Sequence, residues 1–167
     1  GEKIVMVRYQ DKSTDPLIFD DELAEIYTTL KKQFPNAWVG LESVSDDLSR
    51  AVVSVSSPKI PGALYVYNAE KRELAAFRQQ YPGLAADELA EVYAIEYPAR
   101  DGLTIPAYLT LPHGLSPKSA RKLPFVVLPH GGPHARDFRR FDWMAQMLAN
   151  QGYGVMQMNF RGSTGYG

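Results

Sequence analysis

Apolar and polar residues alternate from the start of the chain, and residues 3–9 read as a strand built around Ile4, Val5 and Val7. Asp15-Pro16 marks a turn. Asp20-Asp21-Glu22 then forms an acidic helix start, favoured by side-chain capping and by the helix dipole. Leu23, Ile26, Tyr27, Leu30 and Phe34 follow at spacings of three and four, which predicts one apolar helical face ending at Pro35-Asn36. Period two returns in four short runs, residues 38–44, 51–56, 63–67 and 73–77. The links at 45–49, 58–62 and 68–71 are rich in turn residues and of hairpin length. Four strands joined this way form an antiparallel meander, the shape of one β-propeller blade. A second copy at a spacing of about 40 residues is missing, so the blade is expected to lack neighbours.

Gln79-Gln80-Tyr81-Pro82-Gly83 interrupts this pattern, and residues 85–90 have the composition of a short helix. Strands are predicted at 92–97 and 103–111, joined by a turn at Ala99-Arg100-Asp101-Gly102. Pro106 inside the second of them marks a sheet edge or a bulge. The almost wholly apolar run 123–129 suits a strand covered on both faces. Phe141, Met144 and Leu148 have helical spacing, and a helix over 143–149 is expected to stop at Gly152. Residues 154–160 form a further strand, so this half opens an α/β sheet with a crossover helix.

Bulk properties narrow the function. A chain of 167 residues holds one ordinary domain or two partial ones, and 45% hydrophobic with 22% charged residues is a globular composition. Its 18 basic and 19 acidic side chains leave no basic excess to neutralise phosphates, so nucleic acid is not an expected partner. The absence of cysteine excludes disulfides, thiolate metal sites and a cysteine nucleophile. No apolar run reaches the roughly 18 residues of a helical membrane span. Gly1 precedes a strand-like pattern without an initiator Met, and Gly167 falls inside a glycine-rich stretch; both ends are expected to be cuts through a longer protein.

The candidate chemistry sits between the apolar strand and the helix, in His130-Gly131-Gly132-Pro133-His134. A carbonyl under nucleophilic attack gains negative charge, and glycines let it approach backbone N–H donors unobstructed. A His-Gly-Gly run in this place suits an oxyanion hole, although a plain glycine turn would have the same composition. His130 and His134 have the spacing of a helical zinc motif, but Gly-Gly-Pro forbids the helix and no Glu occupies the second position. No metal is expected, and His113 stands in a polar loop without an evident partner. Asp46, Asp47, Glu70 and Glu73 read as solvated turn and edge carboxylates, and Tyr65 and Tyr67 as packing on one strand face. The Gly-x-x-Gly-x-Gly order of residues 162–167 reverses the dinucleotide fingerprint, so no cofactor is expected. Neither Ser116 nor Ser163 lies in the Gly-x-Ser-x-Gly of a hydrolase nucleophile.

The stretch from Phe125 through His130-Gly131-Gly132-Pro133, the helix at 143–149, Gly152-Tyr153 and the run from Asn159-Phe160-Arg161 to Gly167 together resemble the prolyl oligopeptidase family. The resemblance is strongest to its acylaminoacyl-peptidase and bacterial dipeptidyl-peptidase-like branch. Arg100-Asp101-Gly102 followed by Ile105-Pro106-Ala107-Tyr108-Leu109 looks like that family's approach to its hydrolase domain, and the matches cover 92–167.

The resemblance implies a mixed α/β fold: a propeller-blade-like meander followed by the N-terminal part of an α/β-hydrolase sheet. Residues 1–80 would end a β-propeller, with one blade and an inserted helix, and 81–167 would begin the hydrolase domain. It further implies a serine peptidase that cleaves short peptides through an acyl-enzyme, with the Ser, Asp and His of its triad beyond Gly167, so that this chain alone is inert. Gly131 and Gly132 become the oxyanion-hole candidates. His130, where some relatives carry a tyrosine, either donates a ring N–H or shapes the loop. Arg161 either touches substrate or forms a structural salt bridge. Family members occur in the cytoplasm and in the periplasm, and both remain open. A non-catalytic peptide- or protein-binding module and an esterase are the competing readings. Because the sheet is cut, the strand ending at Phe160 is expected at or near an unpaired edge, with self-association or strand swapping as the consequence.

Overall fold

The computed structural model describes residues 4–9, 15–132 and 134–166. The chain divides into two compact units, Gly1–Pro82 and Gly83–Gly167.

In the first unit, β1 (Met6–Val7) pairs antiparallel with β2 (Leu17–Ile18). The expected strand at 3–9 therefore contracts to two residues, and Lys3 lies outside the described residues. Helix α1 (Asp21–Gln33) starts where Asp20 accepts a hydrogen bond from the Leu23 N–H at 3.1 Å. Asp21 and Glu22 occupy its first turn and Lys31 and Lys32 its last, complementing the helix dipole at both ends. Leu23, Ile26, Tyr27 and Leu30 are buried in one core with Val39, Leu41, Val53, Val55 and Tyr67. Full burial stabilises by about 1.5–3 kcal/mol for each large aliphatic side chain. Phe34 ends the helix and lies 5.4 Å from the Tyr65 ring.

Strands β3 (Trp38–Val44), β4 (Arg50–Ser57), β5 (Ile60–Asn68) and β6 (Glu73–Gln79) form the expected antiparallel meander in the order β3-β4-β5-β6. The link predicted over 58–62 is tighter than read. Ser57 already pairs with Ile60, leaving Pro58-Lys59 as a two-residue turn. Outer strand β6 is almost wholly exposed.

In the second unit, β7 (Glu91–Pro98), β8 (Thr104–Leu111), β9 (Phe125–Val127) and β10 (Gly154–Met158) form one sheet in the order β7-β8-β10-β9. β7-β8 and β8-β10 are antiparallel; β9 and β10 are parallel and connected through α2 (Trp143–Asn150). Asp142 caps α2 by accepting from the Ala145 N–H. Gly152, with φ of 92°, closes its far end: its N–H reaches the Ala149 carbonyl and the Tyr153 N–H reaches Leu148. That double bond is the Schellman closure a left-handed glycine permits.

Three expectations fail here, each for a tertiary reason. Residues 85–90 form turns rather than a helix. Glu88 closes one turn on Ala85, and the backbone of Ala90 is bonded to the Gln146 side chain. Pro106 is neither at an edge nor at a bulge, since β8 lies between β7 and β10 in unbroken register with β7. The Pro106 carbonyl accepts from the Asn159 N–H, so its missing donor faces the side on which β10 pairing has ended at Met158. The apolar strand β9 is not covered on both faces: Phe125 and Val127, on one face, are 53% and 56% exposed, and β9 is also the outer strand of its sheet among the described residues. The strand leading to Phe160 is not itself the edge but lies directly beside it, within the expected place at or near an edge. Helix α2 buries Ala145, Gln146 and Ala149, leaving Met144 exposed and Leu148 half-buried, because small residues let the helix approach the sheet.

Candidate active site

Parallel strands β9 and β10 end side by side, and the loops leaving their carboxyl ends lie against each other. Such a place is where open α/β sheets bind ligands. The loop after β9 carries His130-Gly131-Gly132, and the loop after β10 carries Asn159-Phe160-Arg161-Gly162-Ser163-Thr164-Gly165-Tyr166.

Gly131 and Gly132 are both exposed. No atom lies within 4 Å of the position a Gly131 Cβ would take, leaving open space beside this backbone. Gly132 differs: its φ is 138°, and a Cβ there would meet the His134 nitrogen at 2.8 Å. One glycine supplies access and the other supplies the bend.

His130 is half-buried and held on three sides. Its Nε2 lies 2.7 Å from the Ser163 hydroxyl, its Nδ1 lies 2.8 Å from the Gly131 carbonyl, and its ring stacks on Phe160 with centroids 4.3 Å apart. Ser163 is 2% exposed, so this serine–histidine pair has no face open to a substrate carbonyl. Two further ties join the loops. Asn159, also buried, accepts from the Asp137 N–H at 2.7 Å and donates to the Asp137 carbonyl at 3.2 Å. The Thr164 N–H donates to the Ala135 carbonyl.

Arg136 is 8% exposed, between the rings of Phe138 and Tyr166, and donates to the Tyr166 hydroxyl at 2.6 Å. Its Nε and Nη1 find no acceptor among the described residues. Arg161 is resolved differently: it pairs with Asp101 in the β7-β8 turn at 2.6 Å. The guanidinium hydrogen bond, helped by the Leu103 N–H, holds the Asp101 carboxyl below its ordinary value. His134 and His113 are exposed loop residues.

The chain is similar over most of its length to known peptidases. Dipeptidyl peptidase family member 6 of Caenorhabditis elegans is 35% identical over 153 residues, covering 80% of this chain and 20% of that protein. Dipeptidyl aminopeptidase BIII of Pseudoxanthomonas mexicana is 37% identical over 120 residues, covering 70% and 17%. Among solved structures, a puromycin-hydrolyzing peptidase of Mycobacterium tuberculosis superposes with a TM-score of 0.59 at 26% identity, over 71% of this chain and 19% of that one. This chain belongs to the prolyl oligopeptidase family. No family model matches it. The chain spans about a fifth of the length of these relatives.

Within this prolyl oligopeptidase-family chain, two half-buried carboxylates, Asp137 and Asp142, stand in the segment after the glycine loop. Burial pushes the Asp137 carboxyl up, His130 opposes that shift and Asp142 adds to it. The Gln157 amide stands between the two carboxylates, 3.4 Å from Asp137 and 3.5 Å from Asp142. Asp137, Asn159 and Ser163 were invisible as site residues in the sequence. For Asn159 and Ser163 the available signal was positional: short polar side chains shortly after the strand that neighbours the glycine-bearing one.

Proposed function

We propose that the full-length protein carrying this chain is a serine peptidase that hydrolyses short peptides through an acyl-enzyme. In this reading Gly131 and Gly132 line the oxyanion hole. The observation that carries it is the exposed glycine pair after β9, with open space beside Gly131, anchored by the loop after β10. The attacking serine, its histidine and its aspartate come from outside these residues, because no serine here lies in Gly-x-Ser-x-Gly and the one bonded to a histidine is buried. Residues 1–80 serve as the closing blade of a β-propeller and 81–167 as the start of the hydrolase domain; a division between Pro82 and Gly83 supports this. The Arg161–Asp101 pair supports a structural role for Arg161, and the occupied ring nitrogens of His130 support loop shaping rather than donation to substrate. Short peptides are the expected partner. In isolation the open β9 edge is expected to recruit a second copy.

A fluorophosphonate probe, which captures activated serines, tests the reading. We expect an adduct on the full-length protein and none on this chain. An adduct on this chain, or an unlabelled full-length protein without peptidase activity, overturns it.

A further inference from the structure

We propose that Ser163 is a positioning residue that aims the Gly132 N–H by fixing the tautomer and orientation of His130. The Gly131 carbonyl, 2.8 Å from Nδ1, can only accept, so Nδ1 carries the proton. In the neutral ring Nε2 then offers a lone pair, and the Ser163 hydroxyl at 2.7 Å donates to it. Ser163 is itself fixed by its N–H bond to the Phe160 carbonyl, and Phe160 stacks on the ring it helps to place. The imidazole is thus constrained at both nitrogens and on one face.

The consequence reaches the glycines through peptide geometry. In a planar trans peptide the C=O and the following N–H point in opposite directions. Drawing the Gly131 oxygen towards His130 therefore turns the Gly132 N–H away from His130. Pro133 has no N–H, so Gly131 and Gly132 are the last two backbone donors before the chain turns. The order of control runs from the Ser163 hydroxyl to the His130 ring, to the Gly131 carbonyl, to the Gly132 donor. It also explains why a buried serine stands 33 residues away in sequence yet touches the motif.

The link to catalysis rests on the oxyanion-hole reading; the tautomer does not. Long-range proton–nitrogen NMR on this chain, with His130 assigned by loss of its signals in His130→Phe, reads the tautomer directly. Wild type is expected to show a single Nδ1-protonated ring. Ser163→Ala is expected to return His130 to a mixture resembling exposed His113 and His134, and Ser163→Thr, which keeps the hydroxyl, to restore it. An Nε2-protonated ring in the wild type, or an unchanged ring in Ser163→Ala, overturns the proposal. In the full-length enzyme, Ser163→Ala is expected to lower kcat by about tenfold or more with KM nearly unchanged, and Ser163→Thr to recover most of it. Equal losses in kcat for Ala and Thr also overturn it. A wild-type enzyme with no serine-hydrolase activity overturns the oxyanion-hole reading and leaves the ring assignment to the NMR result.

Discussion

The side-chain amide of Gln146 grips the backbone of Ala90 at both ends: Oε1 accepts the Ala90 N–H at 2.7 Å and Nε2 donates to the Ala90 carbonyl at 3.1 Å. Gln146 stands on α2 and Ala90 immediately precedes β7, so one amide substitutes for the hydrogen bonds that a helix or a sheet partner would have made. Both groups are buried. Gln146→Leu preserves volume but leaves a buried N–H and C=O without partners, each worth about 1–3 kcal/mol when unsatisfied. The expected loss is about 2–4 kcal/mol in urea unfolding; a change under about 0.5 kcal/mol would remove this role.

The two glycines of the candidate oxyanion loop should respond differently to alanine. Gly131→Ala enters open space and is expected to leave the unfolding midpoint nearly unchanged. Gly132→Ala forces a Cβ onto the His134 nitrogen at a backbone conformation rare for side-chain-bearing residues, and is expected to cost about 1–3 kcal/mol. Equal effects at both positions would contradict the geometry of the loop.

Asp47 organises the β3-β4 turn by accepting from the Ser45 hydroxyl and from both the N–H and hydroxyl of Ser49. The Ser45 hydrogen bond first, then those of Ser49, depress its carboxyl from 3.8 to about 2. A depressed carboxyl stabilises the fold above its unfolded value and loses that contribution as pH falls through the folded one. Wild type is therefore expected to exceed Asp47→Ala in stability at neutral pH, with part of the gap closing between pH 3.8 and about 2. A gap that stays constant across this window in thermal unfolding would show that the ionised form is not the one being held.

Self-association is expected from the edge at β9, where Phe125 and Val127 are exposed on the outer strand of the sheet among the described residues. Light scattering over a tenfold concentration range is expected to show growth in mass for this chain, and Val127→Lys to reduce it. A monomer throughout, in the unmodified chain, would refute the role of this edge.

Local signals made much of the fold legible. The α1 face and its Asp20 cap depend on residues within a few positions of one another, and β3 occupies the predicted 38–44. Where the reading failed, the deciding partner was distant. Residues 85–90 have helix-like composition, but their last backbone groups belong to Gln146, 56 residues on. The hydrophobicity of 123–129 reports what side chains prefer, not what packs over them, and one face of β9 leaves Phe125 and Val127 exposed. The missing donor of Pro106 is visible locally, but where β10 pairing stops, which accommodates it, is not. Nothing beside Ser163 in the chain points to its histidine, which lies 33 residues away.

By itself the sequence determined the local elements, the paired glycines at a strand end and the lack of a nucleophile motif, since each is written in the spacing of near neighbours. Only the tertiary structure decided that β10 is interior, that Arg161 meets Asp101, and that Ser163 holds His130. Those contacts depend on which strand ends the fold sets side by side, and spacing along a chain does not encode adjacency across a sheet.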